Sequence, residues 1–350
     1  MHRSEKSALV EVGRTLADLI DRPVDCVGSA KREQDARPDA IFNAGEHRFV
    51  VEWKGSGRSA PVALAVDQLR SYASRMRGKV VPLVAVPYMS RGGREICERS
   101  GVAWLDLSGN ARIVAPGLRI QVSGEPNRFI RPGRKTSAFA PVASRVTRWF
   151  LVNAGRDASQ REIAEAVNLS EGYVSRIVGR LLQDGLVTKD VSGRIQARDP
   201  DLLLDAWRDD YEFELHHIIR GHIAMRSGHE VLRHLAETLE AHDTRYAATG
   251  LAAAWLLTHQ ASFRLVTVYL DQPPSDELLR KARFRMEPRG ANVWLVLPKD
   301  SGVFDGVRAL EGIQCVHPVQ VFLDLKGQPE RAGEAAIELR RLLPGLKTRA

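Results

Sequence analysis

Cysteine is scarce in this 350-residue chain: Cys26, Cys97 and Cys315 stand far apart, with no C-x-x-C pair and no histidine at a zinc-ligand spacing. That excludes a disulfide framework and a structural zinc site, and leaves reduced, buried thiols as the expectation. Long apolar runs are missing too. No window reaches the ~18 uninterrupted apolar residues needed to span a bilayer. The charged stretch from Met1 to Asp18 lacks the apolar run and cleavage site of a signal peptide, so a cytoplasmic protein with no membrane partner is expected. Acidic excess is also absent. The formal net charge is +8 and the pI near 9.6, which favours a polyanionic partner, but the total is moderate for the length and its distribution matters more. Between Arg112 and Arg148 the basic residues Arg112, Arg119, Arg128, Arg131, Arg134, Lys135, Arg145 and Arg148 are opposed only by Glu125, which predicts an electrostatic track. Length and a hydrophobic content of 44% allow two or three domains with sizeable cores.

What is present is concentrated first between Arg37 and Tyr72. Pro38-Asp39 precedes the apolar run Phe49-Val50-Val51 and then Glu52-Trp53-Lys54, with Gln68 and Tyr72 further on. Apolar Phe49 and Val51 alternate with the charged residues, so Glu52 and Lys54 project from one side of a strand. A hairpin turn at Asn43-Ala44-Gly45-Glu46 returns Asp39, at the end of the preceding strand, beside them. Two carboxylates and one ammonium then converge on one point. The carboxylates suit Mg²⁺, and the lysine can orient or deprotonate a water and stabilise charge building on a phosphate.

These residues resemble the PD-(D/E)XK nuclease superfamily: Asp39, Glu52 and Lys54 match its signature positions, and Gln68-Leu69-Arg70-Ser71-Tyr72 matches the Q-x-x-x-Y helix motif of RecB-like members. The resemblance implies a restriction-endonuclease-like α/β domain over residues 1–123. It implies Asp39 and Glu52 as Mg²⁺ ligands, with Lys54, Gln68 and Tyr72 completing a catalytic set. Glu11, on an amphipathic helix from Ser4 to Ile20, is the additional helical acid some members carry. Such domains also serve as binding modules, so cleavage stays an open question. Strands at Val80–Val86 and Gly101–Asp106 around a short helix at Gly92–Ser100 predict a mixed or partly parallel sheet. Ser108-Gly109-Asn110 is expected as a tight turn, and the Pro/Gly/Arg-rich run Gly124–Phe139 as a linker, taken as residues 124–140.

A second domain is expected over residues 141–198. Val142–Asn153 forms a first helix, and Ser159-Gln160-Arg161-Glu162 is a capping box opening a second over Gln160–Val167. After a turn at Asn168-Leu169-Ser170, a third helix spans Glu171–Gln183 with Val174, Ile177, Val178, Leu181 and Leu182 as its buried stripe. Leu186–Lys189 and Arg194–Ala197 form a β-wing. This pattern resembles a winged helix-turn-helix domain, whose third helix enters the major groove of double-stranded DNA while the wing touches flanking phosphates. The resemblance assigns Ser170, Gly172, Tyr173, Ser175, Arg176 and Arg180 to the DNA face, with Lys189 and Arg194 on the wing and Arg131, Arg134 and Lys135 in the preceding basic linker. Arg176 is the candidate for bidentate contact with guanine, because its planar fork matches the O6/N7 pair.

Over residues 199–350 an acidic helix from Asp199 to Glu214 is expected to face away from DNA. His216, His217, His222, His229 and His234 lack a metal-ligand spacing and are expected as ordinary helix histidines. Strands at Arg264–Leu270 and Ala291–Pro298 follow a helix led by Thr249-Gly250, and a closing helix spans Ala332–Leu343. The stretch Pro318-Val319-Gln320-Val321-Phe322-Leu323-Asp324-Leu325, followed by Gly327 and Arg331, resembles the C-terminal region of AbiEi-type antitoxins of type IV toxin-antitoxin systems. Its layout is similar to a reduced, α+β nucleotidyltransferase fold. An active nucleotidyltransferase needs a Gly-Ser turn and paired aspartates on the next strand. Here Leu251 follows Gly250 and only Asp271 appears, which argues against transfer chemistry.

The expected class is thus an α/β multidomain protein with two functional readings open. One is a winged-helix regulator of the AbiEi-like kind carrying a nuclease-like domain; the other is a Mg²⁺-dependent DNA endonuclease of a bacterial defence system. The first takes precedence, since a chain-wide architecture outweighs three side chains. Double-stranded DNA, a cognate toxin or other protein, and a second copy of the chain in a homodimer are the partners these readings imply.

Overall fold

A seven-residue strand in which Phe49, Val50, Val51 and Glu52 are all buried anchors the first sheet of this computed structural model, which describes residues 5–28, 38–76, 78–129, 137–260, 262–287, 289–329 and 331–343. The chain divides into two compact units, Met1–Lys135 with Asp184–Leu186, and Thr136–Gln183 with Val187–Ala350.

The first unit runs α1 (Glu5–Ile20), β1 (Asp25–Gly28), β2 (Ala40–Ala44), β3 (His47–Trp53), α2 (Ser59–Ala73), β4 (Val80–Val86), α3 (Arg91–Arg99), β5 (Ala103–Asp106), β6 (Ala111–Ala115) and β7 (Leu118–Val122). Its strands lie in chain order in one sheet, antiparallel from β1 to β3, parallel from β3 to β5, and antiparallel to β7. Parallel neighbours need crossover helices, and α2 and α3 supply them. Phe49 and Val51 share a buried cluster with Leu83, Ala85, Leu105 and, from α1, Val12 and Leu16. Val50 and Glu52 therefore point to the opposite face, where α2 packs. The β2–β3 turn is tighter than the sequence suggests. Asn43 and Ala44 stay paired, and Gly45 turns the chain at φ +59°, a left-handed conformation that glycine adopts without strain.

The second unit begins with α4 (Ser144–Val152), α5 (Gln160–Val167), α6 (Glu171–Gln183) and the hairpin β8 (Val187–Lys189) and β9 (Ile195–Ala197). Then come α7 (Pro200–Asp210), β10 (His217–His222), α8 (Gly228–Ala241), β11 (Tyr246–Thr249), α9 (Gly250–Thr258), β12 (Val266–Leu270), α10 (Asp276–Lys281) and β13 (Arg285–Met286). The chain closes with β14 (Val293–Leu297), β15 (Arg308–Leu310), β16 (Ile313–Cys315), α11 (Pro318–Asp324) and α12 (Ala332–Leu342). Seven strands form a mixed sheet in the order β13-β10-β14-β12-β11-β16-β15, parallel at β12/β14 and β11/β16. Among the described residues no helix is long and apolar enough to cross a membrane.

Helix α7 is shorter than expected. Asp199 caps its start by accepting the Asp201 and Leu202 N–H groups, and Lys326 Nζ closes its end by donating to the carbonyls of Arg208, Asp209 and Tyr211. Arg340 of α12 pairs with Asp201 and Asp205 at 2.9 and 3.1 Å. Part of the acidity of α7 thus holds α12 in place instead of facing solvent.

Polar groups also tie α4 to the sheet half. Arg145 forks onto Asp300 through two 2.8 Å bonds. Arg148, only 4% exposed, donates from Nη1 to Gln320 Oε1 at 2.7 Å, and Gln320 Nε2 donates onward to Asp324 Oδ1 at 2.6 Å. Asp324 further accepts from the hydroxyls of Thr249 (2.5 Å), Tyr269 (3.1 Å) and Tyr211. The Lys299 N–H donates to His216 Nδ1, so the proton of this neutral ring sits on Nε2 and is donated to the Tyr211 hydroxyl at 3.1 Å.

Burial pushes Asp324 up to about 6 against four hydrogen bonds that favour its charge, and pushes His216 and His317 down to about 4. A depressed histidine contributes stability above its unfolded pKa near 6.5 that is lost as pH falls through the folded value; the raised carboxyl does the reverse, its contribution fading as pH rises from about 4 to about 6. Stability is therefore expected to fall from pH 7 to pH 4 with Asp324 partly opposing the two histidines. Asp324→Asn should steepen that fall, measured by urea midpoints across the pH range; an unchanged slope would contradict the assignment.

Candidate nucleic-acid interface

The interface grows from two local signals. At the start of α5 the Ser159 hydroxyl accepts the Glu162 N–H at 3.2 Å while the Glu162 carboxylate accepts the Ser159 N–H at 2.7 Å, a reciprocal cap. Asn168 ends the helix in the left-handed conformation, and Ser170 caps α6 by accepting the Tyr173 N–H. Val174, Ile177, Val178 and Leu181 are buried and Leu182 is half-buried, which fixes the rotation of α6. Ser170, Gly172, Ser175 and Arg176 are left exposed, and Tyr173 and Arg180 half-exposed. The Arg176 guanidinium lies 5.2 Å from the centre of the Tyr173 ring, which holds the fork extended from the first turns of the helix.

On the hairpin, Lys189 is exposed. Arg194 is engaged within the domain: its guanidinium meets Asp157 at 3.1 Å and Glu162 at 3.4 Å and donates to the Asp157 carbonyl at 2.9 Å. It braces the wing against the start of α5. Asp190 ties the tip by accepting from Ser192 and Arg194, leaving Val191 fully exposed.

The expected basic track needs correction. Arg145 and Arg148 turn into the protein, to Asp300 and Gln320, while Arg128 lies 3.5 Å from Glu125 and Arg112 3.9 Å from Glu98. A carboxylate 155 residues away neutralises Arg145, and an amide 172 residues away draws Arg148 into the interior, so neither adds to the surface charge that the local run suggests. Arg131, Arg134 and Lys135 lie outside the described residues.

In the first unit, β2 and β3 set Asp39 and Glu52 at the same end of the hairpin, 3% and 2% exposed. Asp39 Oδ2 accepts the Trp53 N–H at 2.8 Å. Lys54 Nζ, just past the end of β3, lies 3.1 Å from Glu52 Oε2 and donates to Gln68 Oε1 of α2 at 2.8 Å. Tyr72, one turn beyond Gln68, is half-buried. Two adjacent carboxylates fit Mg²⁺, which takes one or two protein carboxylates and fills its shell with water and phosphate oxygens. Among the described residues no group of three or more His, Cys, Asp or Glu side chains is arranged to hold a metal. Asp106, nearby in sequence to the expected turn, accepts the N–H groups of Met89, Ser108 and Asn110 and so holds Ser108-Gly109-Asn110 as a turn.

Comparison with known proteins agrees with the second unit. Residues 151–188 match the family described as winged helix-turn-helix DNA-binding, and residues 194–341 match the family described as transcriptional regulator, AbiEi antitoxin, type IV TA system. No curated protein matches. Among solved structures the chain is similar to the crystal structure of a repair endonuclease from Pyrococcus abyssi, at 12% identity and a TM-score of 0.25, over 30% of this chain and 48% of that one. The chain thus spans about half the length of that structure.

Proposed function

We infer that this chain, a winged-helix DNA-binding regulator of the AbiEi-like kind, reads a DNA operator through α6. The carrying observation is the exposed face of Ser170, Gly172, Tyr173, Ser175 and Arg176 on a helix whose opposite stripe is buried. Arg176 contacts a guanine, Lys189 of the wing contacts phosphate, and Arg194 acts by keeping the wing in position. A cognate toxin and a second copy of the chain belong to the same reading. Gel-shift titration with duplex DNA at several salt concentrations tests it: saturable binding that weakens with salt supports the reading, and absence of duplex binding removes it.

The same reading takes the C-terminal half as a reduced nucleotidyltransferase-like fold that carries out no transfer chemistry. Supporting this, Gln328 accepts the Leu251 N–H at 3.0 Å and donates to Thr267 at 2.9 Å, closing the N-terminus of α9. Its amide occupies the space a side chain at position 250 would need, where Gly250 has φ +60°.

A second reading rests on the Asp39, Glu52, Lys54 and Gln68 cluster. In it Asp39 and Glu52 hold Mg²⁺, which supplies Lewis-acid stabilisation of a phosphate, while Lys54, oriented by Gln68, stabilises developing negative charge. Supercoiled plasmid with Mg²⁺ or Mn²⁺ is then expected to be nicked by the wild type. Asp39→Ala and Lys54→Ala should lose nicking yet keep duplex binding. If the wild type leaves the plasmid intact and calorimetry finds no metal uptake sensitive to Asp39→Ala, the first unit is a binding module.

A further inference from the structure

A cavity of about 60 Å³ lies where the winged helix meets the sheet half of the second unit, lined among others by Ser144 and Arg148 of α4, Trp207 of α7, Tyr211, His216, Lys299 and Gln320. Arg148 is its unusual member. Its guanidinium is buried, stands 5.0 Å from the Trp207 ring centre, and makes a single side-chain hydrogen bond, from Nη1 to Gln320. Nε is buried without a hydrogen-bond partner, and Nη2 likewise has none among the described residues. Among the described residues no carboxylate forms an ion pair with it; Asp305 and Asp324 act on it only from a distance. The acids at the cavity are engaged or outward: Asp300 is held by Arg145, Asp210 accepts from Ser137, and Glu212 is exposed.

A buried cation without a direct counter-charge is costly, and burial indeed lowers the pKa of this arginine. Nε has no accessible surface, so of the uncommitted N–H groups Nη2 is the one a ligand in the cavity can reach, a charge-assisted donor suited to a carboxylate or phosphate oxygen. Lys299, exposed at the mouth, adds a second positive charge, and the space exceeds the ~10–15 Å³ that one water requires. We propose that this cavity binds a small oxyanion, a carboxylate or a phosphate group, through Nη2 of Arg148, with Lys299 at its entrance. Such a ligand touches α4 of the winged helix through Arg148, whose Nη1 is bonded to Gln320 of α11 in the C-terminal half.

The test titrates the full chain with inorganic phosphate in one arm and acetate in the other, at ionic strength fixed with chloride, by calorimetry and thermal shift. Saturable binding in the millimolar range or tighter is expected in at least one arm, and the arm that responds identifies the oxyanion. Arg148→Met should weaken it by at least about tenfold. Because removing a buried arginine could impair folding, Lys299→Glu on the surface serves as the second variant, with a severalfold weakening expected. No saturable binding in either arm, or binding unchanged by Lys299→Glu and by a folded Arg148→Met, would overturn the proposal and leave Arg148 a structural cation solvated by water.

Discussion

Asp324→Ala is expected to destabilise the second unit by about 3–5 kcal/mol, the range for removing one partner from a buried charged network. Asp324 has no exposure, and its two oxygens accept from Thr249, Tyr211, Tyr269 and Gln320. Truncation removes the shared acceptor of those four donors; Gln320 keeps its bond to the Tyr211 hydroxyl, and each buried group left unsatisfied costs about 1–3 kcal/mol before relaxation. It also breaks the relay through Gln320 by which the Arg148 charge is compensated. A urea midpoint lowered at constant slope would register the loss. Asp324→Asn should cost less, because it keeps the volume and one acceptor oxygen. A loss below about 1 kcal/mol for the alanine variant would contradict the network's structural role.

Arg176→Ala is expected to cost about 1–3 kcal/mol in operator binding and to relax preference at one base pair, the signature of a lost bidentate guanine contact. The reasoning is geometric. Arg176 is exposed on the face of α6 opposite Val174, Ile177 and Val178, and Tyr173 supports it. Lys189→Ala should act differently, weakening all sequences alike and reducing the slope of log affinity against log salt by about 1, as for a phosphate contact. If both variants reduced affinity equally on every sequence, Arg176 would be only another phosphate contact.

The winged helix was legible because its signals are local. A capping box, a turn and a stripe at helical spacing lie within about thirty residues, and the observed α5 and α6 keep the expected bounds. The β2–β3 hairpin and the parallel steps through β4 and β5 were legible for a similar reason, since alternation and apolar runs are read within one strand. Other elements escaped. Strand β10 carries His217, Arg220 and His222 and lacks apolar alternation, so three of the five histidines expected on helices sit instead in or just before a strand. Strands β13, β15 and β16 have two or three residues each, too short for periodicity to show.

Long-range pairing was the larger blind spot. Arg145 and Arg148 looked like part of a basic surface because nothing nearby in the chain opposes them, whereas their partners are Asp300 and Gln320. One signal was present: Gln320 and Asp324 stand four residues apart within the otherwise apolar Pro318–Asp324, every residue of which is buried. Two polar groups on one face of a buried helix require partners, and Tyr211, Tyr269, Thr249 and Arg148 supply them. Their identity could not be read from spacing, since 55 to 172 residues separate most of these partners from α11.

The central claim, that α6 reads a specific DNA sequence, is tested most directly by selecting bound duplexes from a random pool with wild-type protein and with Arg176→Ala in parallel. The account predicts an enriched motif for the wild type whose guanine preference at one position is lost in the variant, while the salt dependence of residual binding stays nearly the same. An identical motif from both proteins, or no enrichment by the wild type, would contradict it.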